Sequence, residues 1–374
     1  MRFIGRSGKK WNYFLTVFAA MLGLAFSAHG QSGPRGGKAS EEAGVSAPSQ
    51  ATALPANTVQ IRVECGNPAA RVKTIADGLK LLGNLHPAVL LISGTCHENV
   101  VIQGLNGITL QGNTKATIDG GSDPNFDTVQ ISGSLNIALN NLTIAGGGEG
   151  VGCFDDSFCV LTQVTVQGSL GDGVGVGAGA RVKLIDCVIQ DNADVGLSVG
   201  VGSAALFGGQ ITGNASDGVV MRNGGTFGTA PGNLTANPTI QNNAGNGIRT
   251  VSHNTVILGS ALITGNAANG VALQTGSAIT LNASVITGNA LDGVTLQAGS
   301  AIGMFASSIT NNGGHQVRIG DLSIARFSGF QSNTISGANS PDVVCDPQFS
   351  ATRQFVGGTV GATTNCPAEL PPTP

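Results

Sequence analysis

A repeat of about 23 residues constrains the fold of this 374-residue chain more than any other feature. One apolar position recurs in steps of 22, 23, 22, 29, 23, 23 and 23 residues, at Ile144, Val166, Ile189, Ile211, Ile240, Ile263, Ile286 and Ile309. A second apolar position, which runs from Val174 to Val317, keeps step with the first and skips at the same place. A fixed period of this size is typical of stacked supersecondary units. The repeat therefore predicts one long array rather than several globular domains.

Each repeat is built from short strands. Runs such as "GVALQ", "AITLN" and "SVITG" alternate apolar and polar residues, which is the pattern of a β-strand with one buried face. Glycine and asparagine separate the runs and favour tight turns. Three short strands that return to the same register form one coil of a parallel β-helix. The pattern predicts an all-β solenoid with coils of 22–23 residues.

The first coil of such a solenoid exposes strand edges and needs a cover. The segment Thr74–Leu82, "TIADGLKLL", places Ile75, Leu79 and Leu82 on one helical face. We expect it to form a short N-terminal capping helix. The segment between Cys345 and Cys366 is expected to close the opposite end.

The N-terminal segment has the pattern of a secretory signal peptide. Four basic residues precede the apolar run Phe14–Phe26, and small residues that suit cleavage follow it. The predicted organisation is a signal peptide over 1–30, a disordered linker over 31–57, a β-helix domain over 58–369 and a tail over 370–374. An uncleaved anchor is the alternative. We expect a secreted, periplasmic or cell-surface protein with no membrane span in its mature part.

Charge narrows the choice of partners. Without the predicted signal peptide the chain keeps 14 basic and 21 acidic residues, a balance that argues against nucleic acid as a partner.

The cysteines fit an exported protein. Six of them are predicted to form three disulfides, although spacing does not fix the pairing: Cys65, Cys96, Cys153, Cys159, Cys345 and Cys366. The seventh, Cys187, falls in an inward column of the repeat and is expected to be an inert thiol.

Asparagine occupies one position in six successive repeats: Asn192, Asn214, Asn243, Asn266, Asn289 and Asn312. Strands of neighbouring coils lie about 4.8 Å apart, so these amides can hydrogen-bond along the axis as a ladder. We predict a structural role for this column.

Acidic residues are concentrated in the middle of the chain, where seven fall between positions 149 and 194. A pair of carboxyl groups can cleave a glycosidic bond, and Asp172, Asp194 and Asp217 are the candidates for that chemistry. Alternatively, carboxylates and loop carbonyls can bind Ca²⁺, and the candidate ligands are then Glu149, Asp155, Asp156 and Asp172. The third interpretation is that these acids are solvated turn residues.

A second candidate site surrounds the one insertion in the repeat, predicted to be a loop over Thr226–Pro238. Arg222, Arg249 and His253 fall on neighbouring coils, and we expect them to lie beside this loop. Such an arginine could hold the carboxylate of an acidic sugar. The plainer interpretation is scattered surface charge.

The opening of the predicted domain resembles the right-handed parallel β-helix proteins of the pectin-lyase-like superfamily. The segments that carry the likeness are "TIADGLKLL", "VLLISGTCHENVVI" and "GITLQGNTKATIDG", followed by the repeated "N-x-x-x-G-V" pattern. The resemblance implies a right-handed coil and a site on the outer face, as in pectate lyases, polygalacturonases and alginate epimerases. The Gly-His-Gly element of polygalacturonases and the Asp-Pro-His-Asp element of alginate epimerases are missing.

Because those motifs are missing, the sequence favours a non-catalytic extracellular protein that binds a polysaccharide or another cell-surface polymer as a scaffold. The alternative is a polysaccharide-active enzyme, a lyase or a hydrolase, acting on acidic glycans such as pectin or alginate. Calcium is the one cofactor that the acid cluster suggests.

Overall fold

A computed structural model describes residues 58–83, 85, 87–113, 116–234, 237–327, 333–346, 354–356, 359–360 and 362–366. The predicted signal peptide, linker and tail lie outside the described residues. The described chain is a right-handed parallel β-helix of about 11 coils, which confirms the predicted fold class. Every coil contributes one strand to each of three parallel sheets, named here A, B and C, in that chain order.

Sheet A carries the longest strands, and its middle strands have five residues each. Its 13 strands are β1 (Val59–Glu64), β2 (Ala88–Ser93), β5 (Ile108–Gly112), β8 (Ile137–Asn140), β11 (Phe158–Thr162), β14 (Arg181–Ile185), β17 (Ser203–Phe207), β20 (Thr226–Ala230), β23 (Thr255–Gly259), β26 (Ala278–Asn282), β29 (Ala301–Phe305), β32 (Ile324–Arg326) and β35 (Gln354–Val356).

Sheet B follows sheet A in each coil and carries the first apolar marker of the repeat. Its 12 strands are β3 (Thr95–His97), β6 (Thr117–Asp119), β9 (Thr143–Ala145), β12 (Thr165–Gln167), β15 (Val188–Gln190), β18 (Gln210–Thr212), β21 (Thr239–Gln241), β24 (Leu262–Thr264), β27 (Val285–Thr287), β30 (Ser308–Thr310), β33 (Asn333–Ser336) and β36 (Thr359–Val360).

Sheet C closes each coil and begins at the second apolar marker. Its 11 strands are β4 (Val100–Gln103), β7 (Val129–Ser132), β10 (Val151–Phe154), β13 (Val174–Val176), β16 (Leu197–Val199), β19 (Val219–Met221), β22 (Ile248–Thr250), β25 (Val271–Leu273), β28 (Val294–Leu296), β31 (Val317–Ile319) and β34 (Val343–Cys345).

The core is a stack of apolar columns along the axis. Residues at the same position of successive coils pair across the sheets, as Ile240 does with Ile211 and Ile263. All eight residues of the first marker are fully buried. Alternation within short strands thus fixes which side chains enter the core, because neighbouring residues of a strand point to opposite faces.

The helix α1 (Ile75–Leu82) packs against β1 and β2 at the first edge of sheet A. Thr74 is its N-cap, and the Thr74 hydroxyl accepts a hydrogen bond from the Asp77 amide (3.0 Å). Ile75 and Leu82 are buried, and Leu79 packs partly buried against the same core. The helix thereby shields apolar residues of the first coil, as the sequence predicted.

Three disulfides join the six cysteines in the pairs Cys65–Cys96, Cys153–Cys159 and Cys345–Cys366, and the free Cys187 is buried. Burial raises the pKa of the Cys187 thiol to about 11, so this thiol is protonated at neutral pH and unreactive. Disulfides are consistent with an exported protein. Within the described residues no helix is long and apolar enough to cross a membrane.

The asparagine column forms a ladder at the corner between sheets B and C. Each side-chain Nδ2 donates to the Oδ1 of the asparagine one coil further on, at 2.9–3.0 Å. The last rung, Asn312, donates instead to Gln316 Oε1 (2.9 Å), and the first, Asn192, accepts from the Ser169 amide (3.1 Å). All six asparagines are buried, so the ladder satisfies polar groups that water cannot reach.

Candidate functional site

One column of residues lies at the edge where the chain enters sheet C, two positions before each strand of that sheet. We call it the edge column. From the N-terminal end it contains Glu98, Asp127, Glu149, Asp172, Val195, Asp217, Asn246, Asn269, Asp292, His315 and Pro341. Several of its side chains reach forward onto the outer face of the next coil, over the middle residue of the next strand of sheet C. That middle residue decides what each acid contacts.

Three consecutive coils carry acids over small residues, and we call Asp127, Glu149 and Asp172 the carboxyl row. The Asp127 carboxylate lies against Gly152, and the Glu149 carboxyl group lies directly on Gly175. A Cβ at Gly175 would overlap both Glu149 carboxyl oxygens, so glycine is required there for this contact. These two glycines stand where the other strands of sheet C carry valine, glutamine, serine, alanine, threonine or arginine.

The pKa values of the row are all raised. Burial, with the charges of Asp127 and Asp172, raises the pKa of Glu149 to about 8. Burial also raises the pKa of Asp127, against the opposing effect of a hydrogen bond from the Glu149 amide (3.2 Å). The Glu149 Oε2 atom is buried without a hydrogen-bond partner. Glu149 is therefore the member of the row that holds a proton at neutral pH.

Asp172 has a different environment, although burial raises its pKa as well. The Val195 amide donates to Asp172 Oδ1 (3.2 Å), and this bond and the nearby Ser198 hydroxyl both act to lower the pKa of Asp172. The guanidinium of Arg222 donates through Nη1 to Ser198 Oγ (2.7 Å) and lowers the pKa of Asp172 through its charge. The exposed Asp194, on the adjoining turn, acts in the opposite direction.

Further along the edge column the acids are neutralised. Arg249, the middle residue of the next strand, donates through Nε to Asp217 Oδ2 (2.6 Å). The same contact recurs between Arg318 and Asp292 (2.7 Å). Asp217 Oδ1 also accepts from the backbone and side-chain nitrogens of Asn246. Asp217 and Arg249, two of the predicted catalytic residues, therefore bind each other, and their partners leave Asp217 little capacity for a ligand.

The predicted position of the inserted loop was wrong. Thr226–Ala230 is strand β20 of sheet A, and the described extra residues follow it at 231–234 and 237–238. They lie at the corner between sheets A and B, where the amides of Asn233 and Leu234 donate to Asp186 Oδ2 (3.1 and 3.0 Å). Arg222, Arg249 and His253 belong to sheet C and to the turns that follow it. The prediction failed because the period shows that residues are inserted but not at which corner of the coil.

The remaining predicted residues occupy turns. Asp155, Asp156 and His253 all have left-handed backbone conformations, at φ 53°, 57° and 50°, after strands of sheet C. Asp155 accepts from the Ser132 hydroxyl (2.5 Å), and His253 Nδ1 lies 2.9 Å from the Ser252 hydroxyl.

Of the four predicted calcium ligands, Glu149 and Asp172 lie at one edge of sheet C and Asp155 and Asp156 beyond the other. No three of the four bring their oxygens within 4.8 Å of one another. The one such group in the described chain is Cys65, Cys96 and Glu98, in which the cysteines form a disulfide and Glu98 accepts from the first amides of α1. The calcium site stays a prediction.

Asp127 was not among the predicted residues. Glu149, Asp172 and Asp217 are each followed by Gly-Val, whereas Thr128 follows Asp127. The second apolar marker, continued backwards through Val151 to Val129, would have found it. Gly175 was also missed, since "GVGVG" looks like a generic part of the coil until the register places Glu149 over it.

The chain is similar to one family model and to several solved structures. Residues 88–236 match the family model for a right-handed β-helix region. The A-module of a mannuronan C-5 epimerase from Azotobacter vinelandii aligns with a TM-score of 0.49 and 15% identity, over 75% of this chain and 93% of that one. A pectate lyase aligns with a TM-score of 0.39 and 11% identity, over 83% and 80% of the two chains.

A surface adhesin of Streptococcus pneumoniae aligns with a TM-score of 0.33 and 9% identity, over 80% of this chain and 93% of that one. No curated protein matches the chain by sequence.

Proposed function

Given that the chain is a right-handed parallel β-helix, we propose that it cleaves a glycosidic bond of a polysaccharide bound along the outer face of sheet C. The observation that carries this proposal is the environment of Glu149. Its carboxyl group lies between two aspartates, its pKa is raised to about 8, and its Oε2 atom has no hydrogen-bond partner. Unpaired carboxyl groups with strongly raised pKa values are concentrated at functional sites.

Glycoside hydrolysis requires one carboxyl group that donates a proton to the leaving oxygen and a second that is ionised. Glu149 is suited to be the proton donor, because it keeps its proton at neutral pH. The ionised partner is one of the aspartates on the neighbouring coils, about 4.8 Å away in backbone spacing. Neighbouring coils thus suit the separation of about 5–5.5 Å that retaining enzymes use.

The expected ligand is a neutral glycan. An acidic sugar would bring a further negative charge next to three carboxyl groups whose pKa values are already raised. The one arginine beside the row, Arg222, is hydrogen-bonded to Ser198. The resemblance to a superfamily of polysaccharide-active proteins supports a glycan as the ligand. The three acids of the carboxyl row argue against acidic glycans such as pectin and alginate.

The test is an activity panel on the purified protein with neutral glycans, polygalacturonate and alginate. Release of reducing ends reports hydrolysis, and absorbance near 235 nm reports the unsaturated uronates that a lyase forms. We expect reducing ends from a neutral glycan. Glu149→Gln should lower kcat by about 100-fold or more, because a general acid contributes about 10²–10⁴-fold. Asp292→Asn, a matched change in the same column at an acid paired with Arg318, should leave kcat unchanged.

A non-catalytic glycan-binding scaffold is the second candidate. It is favoured by the two ion pairs further along sheet C, Asp217–Arg249 and Asp292–Arg318, which place two arginines on the outer face of the sheet. Binding of a glycan by the folded protein without release of reducing ends or uronates would support the scaffold and reject hydrolysis.

A further inference from the structure

We propose that Phe154 is a positioning residue of the glycan site, on which one sugar ring stacks beside the carboxyl row. This inference rests on the proposed function, because it takes the glycan to lie along the outer face of sheet C. It names the residue that holds a sugar next to the bond to be cleaved.

The aromatic ring of Phe154 lies on the same small area of main chain as the carboxyl groups. A Cβ at Gly152 would be 2.5 Å from Phe154 Cε2 and 2.5 Å from Asp127 Oδ2. The opposite edge of the ring reaches the next coil, where a Cβ at Gly177 would be 3.3 Å from Phe154 Cδ1. The ring therefore lies across two glycines, and one of them also carries the Asp127 carboxylate.

The second carboxyl group of the row adjoins this ring. Glu149 lies on Gly175, which pairs with Gly152 in the neighbouring strand. Neighbouring strands are about 4.8 Å apart, and residues i and i+2 of one strand are about 6–7 Å apart. Phe154 and the three glycines thus occupy four adjacent positions of the sheet, so one bound sugar can contact the ring and both carboxyl groups.

One face of the ring is available to a ligand. The glycines beneath it have no side chains, so the inner face of the ring lies against the main chain. Phe154 is partly exposed, and its exposed surface is therefore on the outer side of the sheet. Among the 11 strands of sheet C, all within the described chain, Phe154 is the one aromatic residue.

The turn that follows Phe154 holds the ring in place. Cys153 forms a disulfide with Cys159 across this turn. The Phe154 carbonyl accepts a hydrogen bond from the Ser157 amide (3.2 Å). The main chain is thus tied on both sides of the ring. A side chain that is already fixed loses little conformational entropy when a ligand binds.

A sugar ring suits such a surface. Its hydroxyl groups lie around its edge and leave C–H groups on its face, which pack against the electron-rich face of an aromatic ring. Ligand sites commonly combine aromatic surfaces with a few polar groups. Phe154 supplies the apolar surface, and Asp127 and Glu149 supply the polar groups beside it. Stacking involves no charge on the ligand, in agreement with the neutral glycan expected at the carboxyl row.

An aromatic ring over a glycine can also have a purely structural role, because it covers exposed main chain. Sheet A contains such a ring. Phe305 is 44% exposed, and a Cβ at Gly303, two residues before it, would be 3.9 Å from Phe305 Cε2. Strands β26 and β29 carry no acidic or basic residue. Phe305→Ala is therefore the matched control, since it removes the same kind of ring from a place without carboxyl groups.

The first experiment measures binding of the full chain to the neutral glycans of the activity panel by affinity electrophoresis. Phe154→Ala should raise Kd about tenfold. Phe154→Leu still covers Gly152 but has no aromatic face, and it should show the same loss. Phe154→Tyr keeps the ring and should bind as the wild type does, and so should Phe305→Ala.

Circular dichroism confirms that each variant is folded, and Phe154→Leu decides the question if Phe154→Ala does not fold. An unchanged Kd in the folded Phe154→Leu variant would overturn the proposal. A loss of the same size in Phe305→Ala would also overturn it, because removal of any exposed ring would then weaken binding.

Hydrolysis separates this proposal from the proposed function. In an active protein, Phe154→Leu should raise KM about tenfold and change kcat by less than about threefold, because it removes binding that substrate and transition state share. If the wild type binds a glycan through Phe154 and releases no reducing ends, hydrolysis is rejected and the stacking role stands. If the protein is active and KM is unchanged in Phe154→Leu, the stacking role is rejected and hydrolysis stands. If no glycan of the panel binds, both are rejected.

Discussion

In the two halves of the edge column, acids at the same position of the coil have different contacts. In the C-terminal half, Asp217 and Asp292 lie over Arg249 and Arg318, and each forms an ion pair with the arginine beneath it. In the N-terminal half, Asp127 and Glu149 lie over Gly152 and Gly175, which offer no countercharge. Both halves belong to one continuous parallel sheet.

This difference shows that the middle residue of the next strand determines the role of each acid. An arginine beneath the carboxylate makes a stabilising pair with little capacity for a ligand. A glycine leaves the carboxyl group against the main chain, where burial and neighbouring acids raise its pKa. A solenoid can therefore place a reactive segment next to a purely structural one without changing its fold.

The largest effect that we expect comes from removing an arginine in the C-terminal half. Arg249→Ala leaves the buried Asp217 without its countercharge, which should cost about 3 kcal/mol of unfolding free energy and lower Tm by roughly 5–10 °C at pH 7. Thermal unfolding followed by circular dichroism measures this loss. Arg181→Ala, at an exposed arginine of sheet A, is the control and should change Tm by less than about 2 °C. Equal Tm values for the two variants would contradict the structural role of the pair.

The next effect concerns the N-terminal half and depends on pH. The pKa of Glu149 is raised in the folded chain, so between about pH 4.5 and about pH 8 the folded chain holds a proton that the unfolded chain releases. The unfolding free energy should therefore fall as pH rises through this window and level off above it. Tm of the wild type should drop by several degrees from pH 5 to pH 9, and Glu149→Gln should reduce that drop. A drop of the same size in Glu149→Gln would assign the pH dependence to other groups.

A smaller effect should follow from giving the N-terminal half the residue of the C-terminal half. Ser198→Arg places an arginine beneath Asp172, as Arg249 lies beneath Asp217. The added charge should lower the pKa of Glu149 and raise the unfolding free energy at pH 8 by about 1 kcal/mol. Ser198→Met, of similar length without the charge, is the matched control. If both variants change Tm alike, packing rather than charge explains the result.

Calcium should have the smallest effect. Because the four carboxylates predicted as calcium ligands do not bring three oxygens together, addition of 1 mM EDTA should change Tm by less than about 1 °C. An EDTA-induced drop of several degrees that calcium reverses would establish the predicted site and contradict our geometry.

The sequence was sufficient for the fold because the repeat reports the register directly. The period, the apolar markers and the asparagine column each identify residues that are one repeat apart in the sequence and lie next to one another in successive coils. The site was only partly predictable, since its contacts join an acid to a residue one coil later and about 26 positions away. Glu149 and Asp217 were both predicted as functional acids, but the glycine beneath Glu149 and the arginine beneath Asp217 give them opposite roles. Asp127 was missed, and Thr128 follows it where a glycine follows Glu149 and Asp172.

The asparagine ladder also determines at which corner of a coil residues can be inserted. Each asparagine of the ladder lies five residues before the next strand of sheet C, from Asn192 and Leu197 to Asn312 and Val317. The chain therefore has the same length at this corner in each of these coils. The described extra residues, 231–234 and 237–238, lie at a different corner, between sheets A and B, which carries no residue of the asparagine ladder. The length of the solenoid along its axis can therefore change only by whole coils. Residues can be inserted at the corner between sheets A and B without changing the spacing of the coils along the axis.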